Sequence, residues 1–281
     1  KGELITGFLK NVIPKITARG FLDDVLPRYV DAYKVITTAR LEHGTHANLI
    51  SDKLNQMRAL DQTSWRAPAL KFLVEHGVDH ESAPEFFAKL ERLSYIIMLV
   101  LTDRDQRTKR FNKVNETISS NRTLFGRGSP FNITKDESRR AFDRMLGRFA
   151  TFGQRRSMAL RLNAALDGGF TIPPQSDATV EHVLPRNISE DSHWMITWPD
   201  PAKRREQCDT LGNFVLLTNK VNQKADRMDY RAKKDVYFNG GGGQDFALTR
   251  DLVDQEAWTS EVVRKRTERL AEILMMEWKL L

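Results

Sequence analysis

The residues able to do chemistry lie between Glu181 and Lys234: Glu181-His182-Val183-Leu184-Pro185, then Leu211-Gly212-Asn213, then Asn222, then Lys233-Lys234. Together they are the parts of a one-metal site for phosphodiester hydrolysis. Cutting such an ester needs a deprotonated water, a counter-charge for the phosphate and stabilisation of the leaving oxygen. His182 suits the first task, because an imidazole titrates near neutral pH and a short strand holds it still. A hard cation such as Mg2+ supplies the other two, takes oxygen ligands and needs only one or two protein groups. Glu181 and the amide oxygen of Asn222 are suitable ligands. Asn213 is placed to hydrogen-bond across a hairpin and steady the imidazole or the following loop, and Lys233 and Lys234 to meet a phosphate as point charges. In a regular strand Glu181 and His182 point to opposite faces. Either the strand end is irregular, as Pro185 allows, or Glu181 is not a ligand. Taken singly, each residue also has a structural account, a hydrogen-bonded strand histidine or a turn asparagine. Their order is what joins them.

The elements that must position these residues are two strands and a helix. Thr179 to Leu184 reads as one strand, Asn213 to Thr218 as a second, and Asn222 to about Phe238 as a helix. Upstream, from Leu4 to about Leu166, apolar residues recur at helical spacing, and six to eight helices are expected. Leu22, Val25, Leu26, Tyr29, Val30 and Tyr33 keep one helical face, and Phe86, Phe87, Leu90, Leu93, Ile97 and Val100 another. Ser82-Ala83-Pro84-Glu85 and Thr134-Lys135-Asp136-Glu137 read as capping boxes. The Ser119–Pro130 stretch reads as a loop within this region. The style of the sequence changes between Asp167 and Pro174, so residues 1–167 are expected to form a helical domain and 168–281 a smaller module with a closing helix from Thr259. The glycine run Gly240–Gly243 reads as a flexible connector. The fold class is mainly α with a small α+β element.

Among 281 residues, 40% hydrophobic and 29% charged, a soluble protein with a sizeable core is expected. The longest apolar run falls far short of a bilayer span and there is no signal-peptide pattern, so a cytoplasmic location and no membrane partner are expected. The chain starts Lys1-Gly2-Glu3 and turns amphipathic at once, as expected of a piece of a longer protein. The lone Cys208 excludes an intramolecular disulfide and reads as a small buried side chain. The net charge of +7 points to an anionic partner if it is clustered. It is: residues 103–164 hold fifteen Lys/Arg against six Asp/Glu, whereas residues 171–239 hold ten of each. Arg139, Arg140, Arg144, Arg148 and Arg155 are therefore candidate DNA-backbone contacts, with a solvated helical stripe as the other reading. His43 with His46 and His76 with His80 read as helix-end histidines, and Trp194, Trp198 and Phe214 as hairpin core.

Glu-His-x-x-Pro, Leu-Gly-Asn-Phe-Val-Leu-Leu, the following Asn222, Lys233-Lys234, Trp258-Thr259 and Arg266 resemble the HNH endonuclease domain that closes GmrSD-type restriction and SspE-like phage-defence proteins. The resemblance extends upstream through the helical segments Phe86 to Arg110 and Arg156 to Ala165. It implies a ββα-metal nuclease module that nicks or cleaves DNA with Mg2+ or Mn2+. On matching positions it implies His182 as general base, Asn213 as the middle asparagine and Asn222 as a metal ligand where many such enzymes have a second histidine. It further implies a partner in the N-terminal sensor or nucleotide-hydrolysing domain of the same longer protein. Two other readings stay open: a DNA-binding or docking module carrying a degenerate hairpin, and a nuclease directed at RNA.

Overall fold

The structure is a computed structural model that describes residues 2–120, 123–169, 176–239 and 243–281, with the backbone alone for residues 2–5. Gly240 to Gly242 of the expected connector, and residues 170–174 of the expected domain boundary, lie outside the described residues. The chain is 63% helical with one two-stranded antiparallel sheet. Up to residue 169, eight α-helices of ten residues or more are described: α1 (Gly2–Asn11), α2 (Leu26–Thr38), α3 (Ala47–Arg58), α4 (Arg66–Glu75), α5 (Ala83–Val100), α6 (Arg104–Ser119), α7 (Lys135–Leu146) and α8 (Phe152–Leu166). Then follow β1 (Ala178–His182), α9 (Pro201–Gln207), β2 (Phe214–Thr218), α10 (Asn219–Ala225), α11 (Tyr230–Asn239) and the closing α12 (Ser260–Glu277). No helix is long and apolar enough to cross a membrane among the described residues.

The local chemistry explains most boundaries and corrects three expectations. Thr134 and Glu137 make a reciprocal capping box at α7, with Glu137 N donating to Thr134 Oγ1 at 3.1 Å and Thr134 N to Glu137 Oε2 at 2.8 Å. Ser82 makes no such box, because its hydroxyl is taken by His80 Nδ1 at 2.8 Å. The single helix expected from Asn222 to Phe238 is broken: α10 stops at Asp226, which has φ +31°, and α11 starts afresh at Tyr230. The stripe from Leu22 to Tyr33 faces solvent, with Leu22 and Tyr33 more than half exposed; α2 packs instead through Ala32 and Ile36.

Two clusters of buried side chains meet at the hairpin. Its register pairs His182 with Phe214, Glu181 with Val215 and Val180 with Leu216. Alternate side chains therefore leave opposite faces. Ala178, Phe214 and Leu216 join the large helical core, together with Leu270, Ala271 and Leu274 of α12. Val215 and Leu217 face the smaller core, with Val221, Tyr237, Trp194 and Trp258. The large core thus runs across residue 167 and takes in both the hairpin and the closing helix. A buried arginine ties three helices of this core, with Arg161 of α8 donating to Glu91 of α5 at 2.7 Å and to Glu277 of α12 at 3.3 Å.

Helix α12 lies so close to the turn Leu211–Asn213 that Gly212 has no room for a side chain. A Cβ there would run into the carbonyl of Val263 and the hydroxyl of Thr267, the group to which Gly212 N donates at 3.0 Å. Arg266 completes this contact, donating to the carbonyls of Gly212, Phe214 and Leu248 at 2.7, 2.9 and 2.8 Å and to Asp251 at 2.8 Å. Gly212→Ala is expected to cost about 1–3 kcal/mol through overpacking, read as a lower thermal midpoint. An unchanged midpoint would show that α12 can move away from the turn.

Candidate active site

His182 closes β1 and its Nε2 lies 3.1 Å from Asp209 Oδ1. Asp209 sits just before the Leu211–Asn213 turn and is a meeting point of cations. Arg186 donates to its Oδ1 through Nε at 3.1 Å and Nη2 at 2.6 Å, Arg148 donates to Oδ2 at 3.1 Å, and Arg155 Nη1 lies 3.7 Å from Oδ1. Burial acts to raise the Asp209 pKa, but the hydrogen bonds from His182, Arg186 and Arg148 outweigh it and hold the carboxyl well below its usual range. Asp209 is therefore ionised at neutral pH and accepts only. That assigns the His182 proton to Nε2 and leaves the Nδ1 lone pair free, a tautomer fixed by the partner. Burial depresses the His182 pKa, with the positive charge of Arg186 acting the same way and Asp209 opposing. The imidazole is neutral at pH 7, as a general base must be.

The Asn213 side chain hydrogen-bonds neither His182 nor Asp209 among the described residues; it ties together the segments just after the one and just before the other. Its side-chain Oδ1 accepts from Leu184 N at 2.7 Å and from Trp258 Nε1 at 3.0 Å, and its Nδ2 donates to Leu184 O at 3.0 Å and to Cys208 O at 2.8 Å. Cys208 is buried beneath this cross-link, and burial pushes its thiol up to about 12, so no thiolate forms at neutral pH.

The remaining residues of the expected metal site stand on the other face of the hairpin. Glu181 forms a buried ion pair with Lys233 and accepts from Tyr237 OH at 3.1 Å, while Lys233 also donates to the carbonyl of His182 at 2.9 Å. The break at Asp226 is what lets α11 bring Lys233 and Tyr237 under the strand. Lys233 is fully buried and Glu181 is 6% exposed. Asn222 Nδ2 donates to Thr179 Oγ1 at 2.9 Å and to Val180 O at 3.4 Å on this same face. A divalent ion on Glu181 and Asn222 would have to share the Glu181 carboxylate with an ammonium already on it. No group of three His, Cys, Asp or Glu side chains placed to hold a metal occurs among the described residues. The residues present therefore do not fit a metal at Glu181 while Lys233 is in place.

Several expected DNA contacts have other work. Lys233 is buried, so it offers no surface to a phosphate, and Lys234 donates to Gln255 O at 2.9 Å. Arg155 is 8% exposed and donates to the carbonyls of Phe149 and Ala150 at 2.9 and 2.8 Å. Arg140 and Arg144 satisfy the carbonyls of Val100 and Arg148 at 2.7 and 2.6 Å, and Arg144 also covers the Phe149 ring. Arg139 is exposed and paired within its helix to Asp136 and Asp143. Arg148 lies past the end of α7 and reaches the site through Asp209. Trp194 and Trp198 are core, as expected, donating to the carbonyls of Met228 and Trp258 at 3.0 and 2.6 Å. Sequence reasoning missed Asp209 and Arg186. The available signal was position alone, an acid four residues before Asn213 and an arginine directly after Pro185.

A neutral histidine with an ionised carboxylate behind it can take a proton from water, and guanidiniums around that carboxylate offer positive charge to an anion. Residues 133–273 match the family model for the C-terminal domain of GmrSD restriction endonucleases; this is just over half of the 281 residues, and the chain belongs to that family. Membership places it among nucleases of DNA restriction, with DNA as the substrate class. No curated protein and no solved structure matches the chain.

Two measurements test the Glu181–Lys233 pair. Lys233→Ala leaves a buried carboxylate unpaired and is expected to cost about 3–5 kcal/mol in denaturant melts, whereas Glu181→Gln with Lys233→Met together cost less than either change alone. In the free protein, Mg2+, Mn2+ or chelator should leave the thermal midpoint unchanged. A rise with Mn2+ that Glu181→Gln abolishes would restore Glu181 as a ligand.

Proposed function

We propose that the chain is a DNA endonuclease of the HNH type in which His182 is the general base and Asp209 positions it. The observation that carries this reading is the His182–Asp209 contact at 3.1 Å, which leaves a neutral imidazole nitrogen free among arginines. The order of strand, long loop, strand and helix supports the ββα assignment, with His182 ending the first strand and Asn213 in the turn just before the second. In the reaction, His182 Nδ1 takes a proton from water as the water oxygen bonds to phosphorus. The phosphorus–oxygen bond to the leaving sugar oxygen breaks, and that oxygen is protonated from solvent. Arg186, half exposed beside Asp209, meets the charge that grows on the phosphate oxygens. Asp209 stabilises the imidazolium that forms. The Mg2+ or Mn2+ expected from the resemblance finds no ligand set at Glu181 in the free protein, and none of these steps passes through it. Within the longer defence protein that the family implies, the chain acts as the effector beside a sensor domain.

Supercoiled plasmid is the direct test. Wild type is expected to nick or linearise it, His182→Ala to abolish cleavage, and Asp209→Asn to slow it by about 10²-fold or more. Intact plasmid with bound wild-type protein would sink the enzyme reading in favour of a DNA-docking module. Faster cutting of structured RNA would move the substrate class.

The pH profile gives a second test. Because the His182 pKa is depressed, the base stays unprotonated below the ordinary value of 6.5, and the acidic limb of kcat/KM should fall below pH 6.5. The hydrogen bond to Asp209 opposes that depression, so Asp209→Asn should displace the limb to still lower pH. A limb above 6.5 in the wild type would rule out this imidazole as the base.

A further inference from the structure

The hairpin loop and α9 line an open cavity of about 430 Å³ that reaches Asp209, and its walls include Arg148, Arg186, Arg204, Arg205 and Asn187. We propose that this cavity is a second phosphate subsite, in which Arg204 and Arg205 hold a DNA backbone phosphate neighbouring the one that is cut. The proposal rests on the nuclease reading above and names what that site binds next to the scissile bond.

The charge balance argues for an anion. Four guanidiniums line the cavity against the single carboxylate of Asp209, and Asp209 is already shared among Arg148, Arg155, Arg186 and His182. The acids of α9 do not compensate. Glu206 turns into a separate cavity with Gln207, Thr210, Arg264 and Glu268, and Asp200 caps the helix by accepting from Ala202 N at 2.7 Å. Burial is the larger cause of the lowered pKa of His182 and of Arg155, and the charge of Arg186 acts on both in the same direction.

The donors are also poised. Arg204 is anchored by its hydrogen bond to the carbonyl of Trp198, so its planar head is held in place. Arg205 is exposed, and its side chain makes no hydrogen bond or ion pair among the described residues. Guanidinium forks match phosphate oxygens in pairs, where an ammonium offers only a point charge.

The walls favour a backbone phosphate over a nucleobase. Apart from Cys208, the cavity's apolar lining is Ile188 and Pro201, and no aromatic ring faces it; Trp194 and Trp198 are both 2% exposed in the smaller core. A site without a stacking surface holds phosphate and sugar and positions a duplex without reading its sequence.

The test uses the full chain in a His182→Ala background, which separates binding from cleavage. Fluorescence anisotropy of a labelled duplex is followed across salt concentrations, with and without Arg205→Ala, and with Lys203→Ala as a control on the same helix outside the cavity lining. Arg205→Ala is expected to weaken binding and to flatten the log–log salt slope by about 1, the loss of one phosphate contact, while Lys203→Ala leaves the slope in place. A slope that Arg205→Ala leaves unchanged, or that both changes flatten equally, overturns the subsite and leaves the nuclease reading standing. If wild type leaves plasmid intact while Arg205→Ala still flattens the slope, the nuclease reading fails and the cavity stands as a site for a DNA backbone phosphate. The Arg205 side chain has no partner among the described residues, and an unchanged thermal midpoint confirms that its replacement acts on binding.

Discussion

The hydrogen bonds of one side-chain amide hold the site in register. Asn213 uses both donors and both acceptor positions, on Leu184 N, Leu184 O, Cys208 O and Trp258 Nε1, with no capacity left over. Leu184 lies two residues after His182, and Cys208 lies immediately before Asp209. The amide therefore sets the distance between the base and the carboxylate that orients it, although it touches neither. Buried and fully satisfied, it resists any rearrangement that would leave one of its partners unpaired. The close approach of α12 at Gly212 and the fan of Arg266 hydrogen bonds hold Asn213 from behind, so the precision of the site descends from helix packing through a turn to an amide.

The pleat of β1 divides the chemistry in two. His182 leaves the face that joins the helical core and meets a surplus of positive charge, with Asp209 hydrogen-bonded to it. Glu181 leaves the opposite face, where Lys233 neutralises it and Tyr237 completes its hydrogen bonding. Each face solves a different electrostatic problem. One keeps an imidazole unprotonated, and the other pays the desolvation of a buried acid with a buried base. The side chains of Glu181 and His182 are kept apart, yet Lys233 also binds the His182 carbonyl, so the buried pair fixes the backbone on which the base is mounted.

Much of this was legible in the sequence, and the failures have physical causes. The two strands, the Thr134 box and the closing helix follow from local pattern and capping, which depend on neighbours a few residues away. The family was legible too, because its motif is carried by residues in fixed order. Asp209 was not, since a carboxylate acquires a role only from the groups the fold brings to it, and Arg148 is 61 residues away in sequence. The basic stripe was legible as charge and not as contact. Arginines that look free in a sequence close helix ends in the structure, as Arg140 does for Val100 and Arg144 for Arg148. The break at Asp226 escaped for the opposite reason: the apolar spacing across it remains helical, and only the backbone reversal redirects α11.

The counter-charges around Asp209 come from two parts of the chain. Arg186 belongs to the hairpin loop, whereas Arg148 and Arg155 belong to the end of α7 and to α8. The hairpin is thus not a portable cassette. Grafted onto another scaffold, it would bring its histidine and its acid but leave behind two of the three guanidiniums that keep that acid ionised. Exchange between relatives must carry the helices with it, and the smallest transferable unit begins well upstream of the first strand.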